Sequence, residues 1–506
     1  MSQFTEGDSA VNRLNAAVSA FEKVLTEPEG TVVEMPIGAA QPSLAERLKR
    51  ALDAVTVKPA QAASQATAAA QQAQSAQQAA AQSAADAANS AVATGYVAPP
   101  FPDVWAPLNG DLRLLAGFAP ADTITVAGTS YPLPSKSLTF ARATTATYID
   151  KAGVLKTASI NEPRFEREGL LMEGASTNYF LNSEDPTKWS GIAATLTKTV
   201  INDGATQAVT LQGTVNGATT NHLVINSSAI TAAAGEVFTT SARIKTTSDR
   251  IRIRFTLAGA QVGDINFDGI TGSVVGTPSG QLTYSSSLGA DGYIFISVTI
   301  TMATAGVVTG QIYFNGASTI PDGANIFVQT VQLEKNSIAT SYIPTGSAEV
   351  TRAADSASLQ PSGNVGYRAV GDLFNRTIAF ELAINSFAPS ATGFFDLIKA
   401  LGVTNDIILR ATATSLSCLR SSGNISPAIN VSYPVNSQIF SQTIDTSNKL
   451  TAYFGTQSGS RTGPPSSPTS IPTSIKFDAA SNVVYHIRNF RIWQRLLTSI
   501  QIKGLR

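Results

Sequence analysis

The chain has 506 residues, room for about three domains, and its 35 Lys and Arg balance 35 Asp and Glu. Only 14% of residues are charged, with no basic stripe and no Lys-rich amphipathic segment, so nothing calls for nucleic acid or an anionic membrane. Cys418 is the single cysteine, which excludes an intrachain disulfide and a cysteine-built zinc cluster.

The opening MSQFTEGDSAVNRLN lacks the basic-then-apolar layout of a secretion signal, and no apolar run approaches a membrane span. Synthesis in a cytoplasm, without membrane insertion, is the expectation. Val11, Leu14, Val18, Phe21 and Leu25 recur at helical spacing until Pro28, with Asp8 or Ser9 as the cap. Ser43 and Glu46 then form a capping-box pattern, and Leu44, Leu48, Leu52 and Val55 follow as one apolar stripe. Such stripes must dock on each other or in a partner's socket. Residues 1–58 therefore read as a helical attachment segment.

Residues 59–94 are almost entirely Ala, Gln and Ser, a composition with high helix propensity. A heptad seam runs through Ala63, Ala66, Ala70, Ala73, Gln77, Ala80, Ala84, Ala87 and Ala91, and a shifted register through Ala62, Ala69 and Ala76 serves nearly as well. One copy cannot bury enough apolar surface to stand alone, so residues 59–95 are expected to form an oligomeric coiled-coil stalk of roughly 50 Å. A low-complexity linker and a single helix lying on a domain are the alternatives.

After the prolines of GYVAPPFPDVW the pattern changes to period two. In IRIRFTL, Ile251, Ile253, Phe255 and Leu257 oppose Arg252, Arg254 and Thr256. Ile294, Ile296, Val298, Ile300 and Met302 form one face of a second run, and Val308, Ile312 and Phe314 one face of a third. Ile378, Phe380, Leu382 and Ile384 repeat the period. Alternating runs punctuated by Gly, Asp-Gly and Pro predict antiparallel β-sandwiches. The fold class is mainly β with a helical N-terminus.

Three stretches carry a resemblance. LTFARATTATYIDKAGVLK leading through PRFEREGLLMEGASTNYFLNSEDPTKW resembles tail-fibre and receptor-binding proteins of tailed bacteriophages. INFDGITGSVVG, GADGYIFISVTIT and IFVQTVQLEKNSIATSYIPT, closed by TRAAD, resemble the jelly-roll carbohydrate-binding modules of phage and bacterial surface proteins. VVYHIRNFRIWQRLLTSIQIKGL resembles the closing strand and tail of concanavalin A-like, laminin-G-like sandwiches. Such modules usually carry Trp or Tyr followed by Arg after the Asp-Gly turn, whereas this chain reads Tyr293-Ile294-Phe295, so a sugar site on that strand does not carry over. The resemblance implies a jelly-roll module over 181–345 and a concanavalin A-like sandwich over 346–506. Residues 96–180 are either the first part of that sandwich or a connector. TRAAD echoes FARATT, and both read as strand starts beside a boundary.

Catalytic chemistry has little to work with. His222 and His486 are the only histidines, and His486 alternates with Arg488 and Phe490 as a structural strand residue does. Gly7-Asp8-Ser9 is similar to the nucleophile block of GDS-type esterases, but no Asp stands three residues before either His. No Glu-x-Asp-x-Glu run supplies the paired carboxylates of a glycosidase; Glu381 stands alone, and Glu166 and Glu168 flank Arg167 in a charged turn. No cofactor is expected; structural calcium near Asp264, Asp268 or Asp322 competes with their reading as plain turn residues. Trp189 and Trp493 are expected in cores, and Trp105 over the top of the stalk.

Carbohydrate fits the polar faces better. Arg252, Arg254, Gln311, Tyr313 and Asn315 lie on the outward face of paired runs, offering an aromatic ring, amides and guanidiniums to an acidic or hydroxyl-rich saccharide. An ordinary solvated face is the alternative. With the resemblance, the expectation is a homotrimeric phage tail fibre that binds host surface polysaccharide. It is non-enzymatic, located in the virion and attached through its N-terminus to tail or baseplate proteins. The alternatives are a tailspike enzyme that degrades or deacetylates glycan, and a structural collar or baseplate fibre binding other virion proteins.

Overall fold

A computed structural model describes residues 3–35, 39–94, 97–117, 122–126, 129–133, 138–189, 195–360, 374–388, 393–402, 406–420, 426–463 and 472–505. Two compact units, Met1–Val97 and Ala98–Arg506, divide the chain.

In the first unit the helix Gln3–Thr26 starts ahead of Asp8 and Ser9, so neither residue caps it, because Gln3 to Gly7 offer no break to a helix. A two-stranded ladder of Val32–Val33 and Gln41–Pro42 turns the chain into the helix Leu44–Thr94. Its 51 residues span about 75 Å at 1.5 Å per residue, with no interruption at Pro59. The capping box is half formed. Ser43 Oγ accepts from Glu46 N at 3.1 Å, but the Glu46 carboxylate accepts instead from Gly30 N at 3.0 Å and from Arg50 Nε at 2.6 Å. Ala20, Val24 and Val33 make a small core. The predicted stripes stay outside it. Leu14, Val18, Phe21 and Leu25 are exposed, as are Leu44, Leu48, Leu52 and Val55, so the two stripes do not bury one another. Ala66, Ala69, Ala70, Ala73, Ala76, Gln77 and Ala80 are exposed too. The side chains of Val11, Ala62, Ala63, Ala84, Ala87 and Ala91 lie outside the described residues.

The second unit is built of antiparallel sheets. One sheet runs in the order Gln457–Thr462, Lys449–Phe454, Val435–Ile444, Arg376–Phe387, Val483–Trp493, Gly169–Glu173, Phe165–Glu166. Its partner runs Ala428–Asn430, Ser415–Leu419, Asp406–Thr412, Phe394–Leu401, Ser474–Asp478, Ser356–Leu359, Leu138–Ala141. Phe380, Phe440 and Phe490 from the first sheet meet Leu409, Leu416 and Phe477 from the second in one core. Strands from 138–173 and from 356–493 thus complete a single sandwich. Trp105 belongs to it as well: Val104–Ala106 pairs with Val483–Trp493, and the Trp105 indole donates to Asn489 Oδ1 at 3.2 Å. Ile378, Phe380, Leu382 and Ile384 face this core, while Ala379 on the opposite face packs with Trp493, Leu497, Ile502 and Leu505 from the C-terminal turn of helix.

A second sandwich interrupts the first. The chain leaves through Ser176–Asn178 and returns through Val350–Arg352, which pair with each other. Gly174 sits at the exit, where a Cβ would come within 2.3 Å of the Ala480–Ser481 backbone. The sheet Leu196–Asn202, Val209–Val215, Asn325–Glu334, Val237–Thr246, Ile294–Thr301, Leu282–Leu288 packs on the sheet Thr219–Asn226, Gly306–Ile320, Arg250–Leu257, Ala260–Asp268, Val274–Ser279. Ile251, Ile253, Phe255, Ile312 and Phe314 interleave with Ile294, Ile296, Val298 and Val328 in its core, the two predicted periodicities meeting face to face. Trp189 is buried here against Phe180, with its indole donating to Asn182 O at 2.7 Å.

The FARATT and TRAAD segments meet at the junction. Asp355 takes Arg142 at 3.2 Å and Arg164 at 2.6 Å, and Glu173 takes Arg164 at 2.7 Å and Arg352 at 3.1 Å, with every side chain essentially inaccessible to solvent. Burial alone would push the Glu173 carboxyl up, but Arg352 and Arg164 pull it down to about 2.

Candidate functional site

The strand Arg250–Leu257 lies between Gly306–Ile320 and Ala260–Asp268. Register places Arg252 opposite Tyr313 and Asn266, Arg254 opposite Gln311 and Asp264, and Arg250 opposite Asn315 and Asp268. Because side chains alternate across a strand, committing Ile251, Ile253 and Phe255 to the core turns Arg252 and Arg254 outward. All five predicted residues, Arg252, Arg254, Gln311, Tyr313 and Asn315, therefore share one outer face. Asn315 is the most enclosed of them, its Nδ2 donating to Asn266 Oδ1 at 2.9 Å.

Asp264 organises this face. Its carboxylate accepts Arg252 Nε at 2.7 Å and Arg254 Nη2 at 3.0 Å, with a further bond from Arg252 Nη2. Burial pushes the Asp264 carboxyl up, yet the bonds from Arg252 and Arg254 hold it below the usual carboxylate range. Arg252 is raised chiefly by its hydrogen bond to Asp264. Both guanidiniums also lie over the Tyr313 ring, at 5.5 and 5.2 Å from its centroid. Tyr313 donates its hydroxyl to Gln311 Oε1 at 3.2 Å. Two cations held by one carboxylate leave a single positive charge in excess. Arg254 Nε and Asn226 Oδ1 are enclosed without a hydrogen-bond partner among the described residues. Unmet buried polar groups are costly, and a ligand hydroxyl or water is the natural partner for them. Asn226 and Asn266 are not among the sequence-predicted binding residues, and Asp264 is predicted only as a calcium candidate or turn residue, although its even spacing from Asn266 and Asp268 is the signal that puts it on this face.

On the outer face of the module's other sheet the charged groups pair with one another. Tyr293 is fully buried and donates to Asp203 Oδ2 at 2.8 Å, while Arg243 and Lys245 approach its ring at 5.2 and 4.6 Å. The arginine missing after Tyr293 in sequence thus arrives from the neighbouring strand, but Arg243 is spent on Asp291, at 2.9 and 3.1 Å.

The remaining candidate groups are held by the fold. His486 Nε2 lies 2.9 Å from Glu166 Oε2 and Nδ1 2.8 Å from Asn385 Oδ1; the Glu166 carboxylate also accepts from Ile149 N at 2.8 Å. Glu166, Glu168 and His486 bring ligand-type atoms within 4.8 Å of one another, and the His and Ile149 contacts account for the two Glu166 oxygens. His222 is buried with Nδ1 3.0 Å from Thr195 Oγ1. Glu381 accepts from Asn489 Nδ2 at 2.6 Å and from Arg488. Gly7-Asp8-Ser9 lies within a helix, not after a buried strand. Asp268 Oδ1 accepts from Thr271 N at 2.7 Å and Ile270 N at 3.0 Å, as turn aspartates do, while Asp322 Oδ1 accepts from Gly217 N of a distant loop at 2.7 Å.

No protein-family model matches this chain, and no curated protein does. Among solved structures it is similar to the binding domain of botulinum neurotoxin DC in complex with SialylT, at TM-score 0.24 and 14% identity over 30% of this chain and 39% of that one. It is also similar to Trypanosoma rangeli sialidase in complex with sialic acid, at TM-score 0.23 and 11% identity over 61% of this chain and 62% of that one. The chain thus spans about two fifths of the toxin domain's length.

Proposed function

We propose that the chain is a carbohydrate-binding adhesin of the phage tail-fibre kind, self-associating through its long helix and meeting glycan with the outer face of the inserted, jelly-roll-like sandwich. The observation that carries this reading is the convergence of Arg252, Arg254, Gln311, Tyr313 and Asn315 on one sheet face around Asp264. Donors and acceptors there stand at strand spacing beside an aromatic ring, the mixture that sugar hydroxyls and C–H faces need. The excess positive charge favours a carboxylated sugar. The exposed apolar stripes of the helical unit supply the self-association, with a homotrimer as the assembly and virion proteins as the N-terminal partners. Affinity then comes from several weak sites on one assembly.

Isothermal titration of the full chain with acidic oligosaccharides tests the site. Arg252→Ala combined with Tyr313→Ala weakens binding by at least about tenfold, equivalent to ~1.4 kcal/mol; equal binding by this variant and the unaltered chain rejects the site. Binding without turnover is the proposed activity, and release of reducing ends or acetate from the same glycan would make the chain an enzyme instead.

A further inference from the structure

The sandwich that carries the insertion is open along one side. Leu138–Ala141 ends one of its sheets and Phe165–Glu166 ends the other, with the hairpin of Ala146–Ile149 and Leu155–Ala158 alongside. A groove of about 960 Å³ lies there, toward the upper end of the roughly 300–1,000 Å³ range of small-ligand sites. Its floor is aromatic: Phe140, Tyr148 and Phe165 line it, each half-buried. Its rim is polar and exposed: Arg113, Lys151, whose ammonium donates to Asn109 Oδ1 at 2.8 Å, and Glu162, whose Oε2 accepts from Ser159 N at 2.6 Å. The Arg113 guanidinium and the Tyr148 hydroxyl have no partner among the described residues, so both remain available to a ligand. Burial, with Glu162, Asp150 and Glu166 nearby, pushes the Tyr148 hydroxyl up, which keeps it a donor at neutral pH.

We propose that this groove is a second saccharide site, taking a short stretch of neutral, hydroxyl-rich glycan. The half-buried rings offer apolar faces to sugar C–H groups, and the rim offers donors and acceptors to the hydroxyls. Asp111, Asp150 and Glu162 outnumber Arg113 and Lys151 on the rim, so no excess positive charge selects an acidic sugar. In this it differs from the Arg252 and Arg254 face. Phe140, Tyr148 and Lys151 come from LTFARATTATYIDKAGVLK, a stretch to which the adhesin reading gives no task. The groove stands independently of the face on the inserted sandwich.

The test is titration of the full chain with maltohexaose, cellohexaose and mannohexaose, and separately with oligogalacturonate. Three forms are compared: unaltered, Tyr148→Ala with Lys151→Ala, and Arg252→Ala with Arg254→Ala. At least one neutral oligosaccharide binds, loses tenfold or more in the Tyr148 and Lys151 variant, and is unaffected by the arginine changes. A further variant, Lys151→Ala with Glu162→Gln, alters exposed side chains alone; weakened binding at an unchanged melting temperature separates recognition from folding. The groove assignment is overturned if no neutral oligosaccharide binds, if neither groove variant weakens it, or if only the arginine variant does. Failure of the inserted-sandwich reading shows elsewhere, as oligogalacturonate binding that is absent or indifferent to Arg252 and Arg254.

Discussion

Two aspartates each hold two arginines, in opposite settings. Asp264 does so on an outer face, where its arginines keep about a fifth of their side-chain surface in water. Asp355 does so where neither it nor Arg142 and Arg164 has any. Removing one partner of a buried ion pair leaves uncompensated charge, so Asp355→Asn destabilises the protein by about 3–5 kcal/mol. Urea unfolding followed by tryptophan fluorescence measures this, and a loss no larger than that of Asp264→Asn contradicts it. Glu173 adds a pH dependence. Its folded value of about 2 lies below the reference of 4.5, so its contribution is complete above 4.5 and disappears as pH falls through 2. Glu334, which burial pushes up, acts in the opposite sense. The urea midpoint therefore falls more steeply through this acid window in the parent protein than in Glu173→Gln. FARATT and TRAAD are legible as boundary segments, yet Arg142 and Asp355 are 213 residues apart, and no local pattern shows that they form one ion network.

At the scale of elements, helix continuity favours one register for the proposed self-association where composition leaves two open. Since Leu44–Thr94 is one helix, the leucine stripe and the alanine seam share a single phase. Alternating steps of four and three from Leu48 pass through Leu52, Val55, Pro59, Ala62, Ala66, Ala69, Ala73, Ala76 and Ala80. The seam through Ala63, Ala66, Ala70, Ala73, Gln77 and Ala80 shares Ala66, Ala73 and Ala80 with that path and differs in taking Ala63, Ala70 and Gln77 for Ala62, Ala69 and Ala76, each one residue, or about 100°, further round the helix. In parallel copies Ala69→Cys thus cross-links on mild oxidation and Ala70→Cys does not, as gel electrophoresis without reductant will show; Cys418 is buried and does not compete. Cross-linking through position 70 alone selects the other register. The β elements were equally readable where one face is apolar, as in Arg250–Leu257. The strand Arg376–Phe387 is covered on both faces, and its second cover comes from the distant C-terminal segment.

For the whole molecule, the proposed function places self-association in Met1–Val97, which carries the exposed stripes, and recognition in Ala98–Arg506. Residues 98–506 produced alone are accordingly monomeric by light scattering and bind free oligosaccharide with the full chain's affinity. On a glycan-coated surface they bind about 10²–10⁴-fold more weakly, the loss expected when linked sites become single. A monomeric full chain contradicts the assembly.

The sequence by itself determined the helix-then-strand order, which strand faces are apolar, and the outward set from Arg252 to Asn315, because each follows from the fixed periods of helix and strand. Tertiary structure alone decided that one sandwich is inserted in another and that Asp264 gathers two arginines. It also decided that Phe140 and Phe165, from the edge strands of different sheets, share one groove. Those depend on which strands become neighbours, and hydrogen bonds between strands far apart in the chain leave no mark on local sequence.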